Sequence, residues 1–133
     1  MAAYVTDTHP LLWFVAAARR KLSTQVLGVF RRCEAGEDTV YVPAAVVWET
    51  ALIVEQGKVR LAPSFRAWWD ARFACPTLIY TPLELGHIHE AYGLHALEGP
   101  LDRLIVGTAR ALDLPLLTKD KTITDSGLVE ARW

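Results

Sequence analysis

Short apolar runs alternate along this chain with longer segments of helical periodicity. Residues 2–6 (AAYVT) form a buried strand closed by Asp7. Residues 9–18 (HPLLWFVAAA) are predicted as a helix, with Pro10 in the first turn, where its missing N–H is tolerated. Ser23 is placed to cap a second helix over 24–35, which Gly36 closes. The β-branched and aromatic residues 39–42 (TVYV) read as a second strand. Pro43 then opens a long helix to about Gln56, ended by Gly57. Ser64 caps a helix carrying Phe65, Trp68, Trp69 and Phe73, and residues 77–80 (TLIY) make a third strand. Pro82 begins a helix over 83–92, and Gly99 and Pro100 begin another that runs to Leu112. A fourth strand is predicted over 115–118, with Pro115 at its first position, and a fifth over 128–131 (LVEA). Short strands that are apolar on both faces, alternating with helices, call for a three-layer α/β/α sandwich around a central parallel sheet of about five strands. In such sheets ligands sit beyond the carboxyl ends of the strands.

At 133 residues the chain fits one domain, residues 1–133, and 52% hydrophobic content is enough for a full core. A domain of this length buries roughly two thirds of the surface that its unfolded chain exposes. The net charge of -1 argues against nucleic-acid binding by bulk positive charge alone. If four acids share one metal-filled pocket, however, the rest of the chain sets 14 Lys and Arg against 11 acids, so a modestly basic outer surface survives. Cys33 and Cys75 lack metal-ligand spacing and read as reduced intracellular thiols. No signal peptide and no apolar run of roughly 18 residues is found, so the expectation is a soluble, cytoplasmic protein away from any membrane.

The informative residues are four acids in apolar company. Asp7 and Asp120 each follow a predicted strand, so both fall at the carboxyl edge of the sheet. Asp102 lies in the first turn of a helix, where the macrodipole favours an acid. Glu49 has Ala45, Val46, Leu52 and Ile53 as its neighbours one turn away, all apolar. Each position has a purely structural explanation: a helix cap for Asp7 and Asp120, dipole stabilisation for Asp102, an outward reach or a buried arginine partner for Glu49. Taken together they point elsewhere. Two carboxylates about 4 Å apart repel by ~4 kcal/mol at an effective dielectric near 20, and a divalent cation reverses that cost. Hard oxygen ligands suit Mg²⁺ or Mn²⁺, which activates water for in-line hydrolysis of a phosphodiester. Thr8 and Thr118 flank the acids and are placed to orient a carboxylate or a bound water. Arg103 reads either as a surface residue or as a phosphate contact.

The segments "VTDTHPLLWF", "VVWETALIVEQGKVRL", "GPLDRLIVGTA" and "LLTKD" resemble, in order, the four acid motifs of PIN-domain ribonucleases, most closely the VapC-type toxins of type II toxin–antitoxin pairs. That resemblance implies a five-stranded parallel sheet between helices and Mg²⁺- or Mn²⁺-dependent endoribonuclease activity. It maps the family's metal-binding acids onto Asp7, Glu49, Asp102 and Asp120. It also implies three partners: an RNA substrate, a cognate antitoxin laid in an apolar groove, and a second copy of the chain in a homodimer. Relatives often carry an additional acid where this chain has Gly99, and "HALEGP" replaces a more polar stretch.

Two other classes fit less well. A catalytically silent PIN-like interaction module would be favoured by the loss of an acid, and none is lost. A phosphoacceptor receiver domain needs an Asp at the end of the third strand, where this chain reads "LIYTPLE". Among the remaining candidates, His87 and His89 point to different sides of one helix, which argues against a shared metal. His9 is near enough to Asp7 to touch substrate, although packing or capping explains it too. Arg19, Arg20 and Lys21 suit a helix C-terminus, or a phosphate-contacting rim with Lys119 and Lys121. Trp68 and Trp69 are adjacent on a helix, which places both in a core or leaves one for a partner.

Overall fold

The computed structural model describes all residues from Met1 to Trp133. The chain runs β1 (Ala3–Thr6), α1 (Thr8–Val15), a 3-10 turn (Arg19–Lys21), α2 (Thr24–Glu34), β2 (Thr39–Pro43) and α3 (Ala44–Glu55). It continues through α4 (Phe65–Phe73), β3 (Leu78–Thr81), α5 (Leu85–Ala91), α6 (Pro100–Leu112), β4 (Leu116–Leu117), α7 (Lys121–Ser126) and β5 (Ala131–Arg132). Five strands form one sheet in the order β3-β2-β1-β4-β5, and every pairing is parallel. The predicted parallel α/β architecture is therefore correct.

The order has a direct consequence. From β1 the chain builds outward through β2 and β3, then returns to the other side of β1 for β4 and β5. The switch point lies between β1 and β4, where Thr6 is in register with Leu117. The backbone of the next residue still holds the ladder, with the Asp7 N–H donating to the Leu117 carbonyl at 3.0 Å. A crevice beyond these two strand ends is where ligands bind in open parallel sheets.

Helices on both faces require strands that are apolar on both sides, and Val5, Val40, Val42, Leu116 and Leu117 are fully buried. Phe14 stacks on Phe30 at 5.0 Å between ring centres, joining α1 to α2. Ser23 and Ser64 cap α2 and α4 as the sequence predicts, accepting from the N–H groups of Val26 and Ala67 at 3.1 Å. Gly107 in α6 meets α5 so closely that a Cβ there would lie 2.7 Å from the His87 carbonyl oxygen. Trp68 and Trp69 are both buried, and Trp69 stacks on Phe73 at 5.2 Å. The core reading of the tryptophan pair is the right one, and neither indole is left exposed for a partner.

Several predicted boundaries need correction. The first helix ends at Val15 rather than at residue 18, because Ala17 turns to φ +60°. Arg19 secures that end: its Nε donates to the Phe14 carbonyl at 2.8 Å, and its guanidinium lies 3.9 Å from the Phe14 ring centre. Helix α5 covers Leu85–Ala91 rather than 83–92, since Glu84 takes the N-cap position and its N–H donates to His87 Nδ1 at 3.3 Å. The fifth strand is Ala131–Arg132, not 128–131. Gly127 takes φ +66°, and the Arg110 guanidinium donates to the Leu128 carbonyl, so residues 128–129 complete a turn before the strand starts. The short helix α7 is capped by Asp120, one of the readings its position allowed, whose Oδ1 accepts from the Ile123 N–H at 2.9 Å.

Candidate active site

The four acids come from four separate elements. Asp7 joins β1 to α1, Glu49 lies in the middle of α3, Asp102 in the first turn of α6, and Asp120 at the N-cap of α7. All four line one cavity of about 510 Å³ beyond the carboxyl ends of β1 and β4. His9, Pro10, Trp13 and Lys119 complete its wall.

Asp7 is the most constrained of the four. One oxygen accepts from the Thr8 N–H at 2.8 Å, which is the cap of α1. The other accepts from the Thr118 hydroxyl at 2.7 Å, across the β1–β4 switch point. Burial raises its pKa above the usual carboxylate value, against the lowering effect of those two hydrogen bonds, and the negative Glu49 raises it further. Thr118 Oγ1 also accepts from the Asp120 N–H at 3.1 Å, so one hydroxyl ties both strand-end acids together.

Glu49 lies half-buried between the exposed Trp48 and the buried Thr50. No arginine pairs with it, and its carboxylate accepts from the Thr8 hydroxyl. Asp102 is pushed up to about 6, first by burial and then by the negative charges of Asp7, Asp120 and Glu49. Its carboxyl therefore feels the other three, and the cavity holds more negative charge than it can easily solvate.

No three of the chain's His, Cys, Asp and Glu side chains converge into a ready metal-ligand cluster. The four acids share a cavity, but their carboxylates stand apart within it. Their donor chemistry, carboxylate oxygens in one cavity with the pKa raised at Asp7 and Asp102, suits a hard divalent cation.

The remaining sequence candidates divide. Thr8 and Thr118 orient Glu49 and Asp7, as their positions beside the acids suggested. Arg103 does not line the cavity: its Nε donates to the carbonyls of Leu94 and Leu97, both at 3.0 Å, and its Nη2 meets His95 Nδ1 at 3.0 Å. It pins the loop before α6. His89 takes no part, and the buried His87 caps α5. Trp13 was missed; the signal available was its spacing four residues after His9, which puts both on one face of α1.

Replacing Thr118 with Val tests the central hydrogen bond. The change keeps the shape but strips a buried Asp7 oxygen of its donor, at an expected cost of about 1–3 kcal/mol. It also removes a lowering influence on Asp7, whose pKa then rises further. Thermal melts of the metal-free protein, with and without the substitution, measure the first effect.

The PIN domain family profile matches residues 4–126. No curated protein sequence matches the chain. Solved structures share the fold at low identity. A VapBC2 complex of Rickettsia felis bound to a promoter DNA fragment superposes with a TM-score of 0.72 at 15% identity, covering 98% of each chain. A DNA-bound VapBC of Salmonella typhimurium gives 0.64 at 13% identity, covering 99% of this chain and 98% of that one. FitAcB of Neisseria gonorrhoeae gives 0.63 at 16% identity, covering 96% and 95% respectively.

Proposed function

The chain belongs to the PIN domain family, and from that premise we propose that it is a metal-dependent endoribonuclease, the toxin half of a toxin–antitoxin pair. The observation that carries the reading is the shared cavity at the sheet's switch point, lined by Asp7, Glu49, Asp102 and Asp120. In this reading the four acids are the catalytic, metal-holding residues. Thr8 and Thr118 fix two of them through the bonds already described, before any substrate arrives. The Asp102 carboxyl, pushed up to about 6, and Asp7, also raised by burial, must both give up their protons for the full set of carboxylates to bear charge. Bound Mg²⁺ or Mn²⁺ would lower the pKa of water and offset charge on the phosphoryl oxygens. Water attacks phosphorus in line and gives up a proton to solvent, a P–O bond forms, the bond to the leaving ribose oxygen breaks with its electron pair on that oxygen, and a solvent proton completes the hydroxyl.

The direct test is incubation of the purified protein with RNA in Mn²⁺, in Mg²⁺ and in EDTA. Cleavage in either metal and none in EDTA supports the reading; equal cleavage in all three removes it.

The solved relatives are VapBC and FitAB assemblies, which supports a protein partner for this chain as well. We place an antitoxin in that role, and its signature is growth arrest on inducible expression that co-expression of the partner relieves. A homodimer is the second proposed assembly. Six of the eight exposed large hydrophobic residues fall in residues 79–92, on the edge strand β3 and on and around α5. A single-residue charge in that apolar surface, Leu85→Glu, is expected to shift the protein from dimer to monomer in sedimentation velocity.

The separated carboxylates favour one alternative, a PIN-like interaction module without catalysis. Calorimetry with Mn²⁺ separates the two: saturable binding supports the nuclease, and none at millimolar metal supports the silent module.

A further inference from the structure

Trp13 stands between two cavities. It lines the acidic one and also a second, mostly apolar one of about 490 Å³, together with His9 and Glu49 in both. Around its ring is an unusual set of neighbours. Trp133 meets it edge-on at 6.0 Å and His9 lies tilted at 5.8 Å, centre to centre. Lys21 Nζ lies 5.6 Å from the ring centre and Lys119 Nζ 5.9 Å, and Lys119 also lies 5.8 Å from the centre of Trp133.

The charges here are telling. Lys119 lines the cavity of the four acids, yet neither it nor Lys21 enters any ion pair of the chain. A lysine meant to neutralise the acidic cavity would pair with a carboxylate. These two instead rest against indole rings, which leaves their positive charge free for an anion. Aromatic surface bordered by free cations is what a single-stranded nucleic acid requires: rings for the bases and ammonium groups for the phosphates. A duplex keeps its base faces stacked inside and has no use for the rings.

On the premise that the acidic cavity is a ribonuclease site, we propose that Trp13, with Trp133, Lys21 and Lys119, forms a nucleotide subsite that stacks an unpaired base and grips the adjoining phosphates beside the bond to be cut. The substitutions that read this out are Trp13→Ala, Trp13→Phe, Lys21→Ala and Lys119→Ala.

The experiment is fluorescence anisotropy with a short fluorescein-labelled single-stranded RNA, in EDTA so that nothing is cleaved. Trp13→Ala is expected to weaken binding roughly tenfold, the loss of about one stacked base, while Trp13→Phe keeps most of the affinity. Each lysine substitution lowers the slope of log affinity against log salt by about 0.7, the share of one phosphate contact on a single strand. With Mn²⁺ present, Trp13→Ala raises KM and changes kcat little. If Trp13→Ala does not fold, the lysine salt slopes and Trp13→Phe decide the matter. Wild-type cleavage of RNA combined with unchanged binding by the Trp13 and lysine variants would overturn the subsite and leave the nuclease reading intact. A wild-type protein that neither binds nor cleaves RNA removes the nuclease reading, and the subsite falls with it.

Discussion

Asp7→Asn is expected to reduce metal-dependent RNA cleavage by at least about a hundredfold, the usual loss when one electrostatic contact to the reacting group is removed. The same substitution is expected to raise the melting temperature of the metal-free protein at neutral pH. Both effects follow from one position. Asp7 is 8% exposed, and burial lifts its pKa above the value it has in the unfolded chain. A carboxyl whose folded pKa is raised is neutral in both states at low pH and costs nothing there. As pH rises from the unfolded pKa through the folded one, the native state must bear a charge it disfavours, and stability falls. Asparagine keeps the acceptor for the Thr8 N–H and can donate to the Thr118 oxygen, so the fold retains its contacts without the charge.

The gain from Asp7→Asn should therefore shrink as pH is lowered toward about 4, the carboxylate's ordinary range. Asp102 acts in the same direction: its contribution is lost as pH climbs from 3.8 to about 6. Melting curves across this range, for wild type and variant without metal, measure the window. Added Mn²⁺ should stabilise the wild type more than the variant, because only the wild type offers the full set of carboxylates. Undiminished cleavage by Asp7→Asn would end the proposed mechanism.

Gly107→Ala is expected to destabilise the fold by about 1–3 kcal/mol, despite a change that ordinarily favours a helix. Alanine inside a helix gains up to about 1 kcal/mol over glycine. Here the new methyl would lie 2.7 Å from the His87 carbonyl oxygen, 2.8 Å from the Ala91 nitrogen and 2.9 Å from the Ala91 Cβ. Two of these obstacles are backbone atoms of α5, which cannot rotate away as the tip of a side chain could. Relief requires α5 and α6 to part, and the steric cost outweighs the propensity gain. A drop in melting temperature on the order of 5–10 °C is expected by calorimetry. Since α6 carries Asp102, RNA cleavage should fall as well. A variant as stable as wild type would show that the two helices are not held this close.

The parallel sheet was legible because its strands are apolar on both faces and because capping residues punctuate the helices. Ser23 and Ser64 needed only local rules. The four acids were legible as candidates for a less local reason: Glu49 lies among apolar neighbours where a carboxylate needs a partner. What sequence did not resolve was how local and distant roles combine. Asp7 and Asp120 do cap helices, as the simpler explanation has it, and they line the cavity at the same time. In each, one carboxylate oxygen serves the cap, while the second oxygen of Asp7 accepts from the Thr118 hydroxyl. The loop-pinning bonds of Arg103 were not legible because carbonyl acceptors in a loop leave no trace in residue type. The fifth strand, two residues long, is too short for any alternating pattern to mark it.

The bond from Thr118 to Asp7 spans 111 positions, and β4 takes its place beside β1 only after β2 and β3 have been made. A ribosome building this chain thus delivers the first acid well before the hydroxyl that holds it, 111 positions later. Until that late strand docks, the middle of the sheet has an open seam and the acids have no common wall. A chain that has not yet been extended through β4 accordingly lacks the assembled cavity.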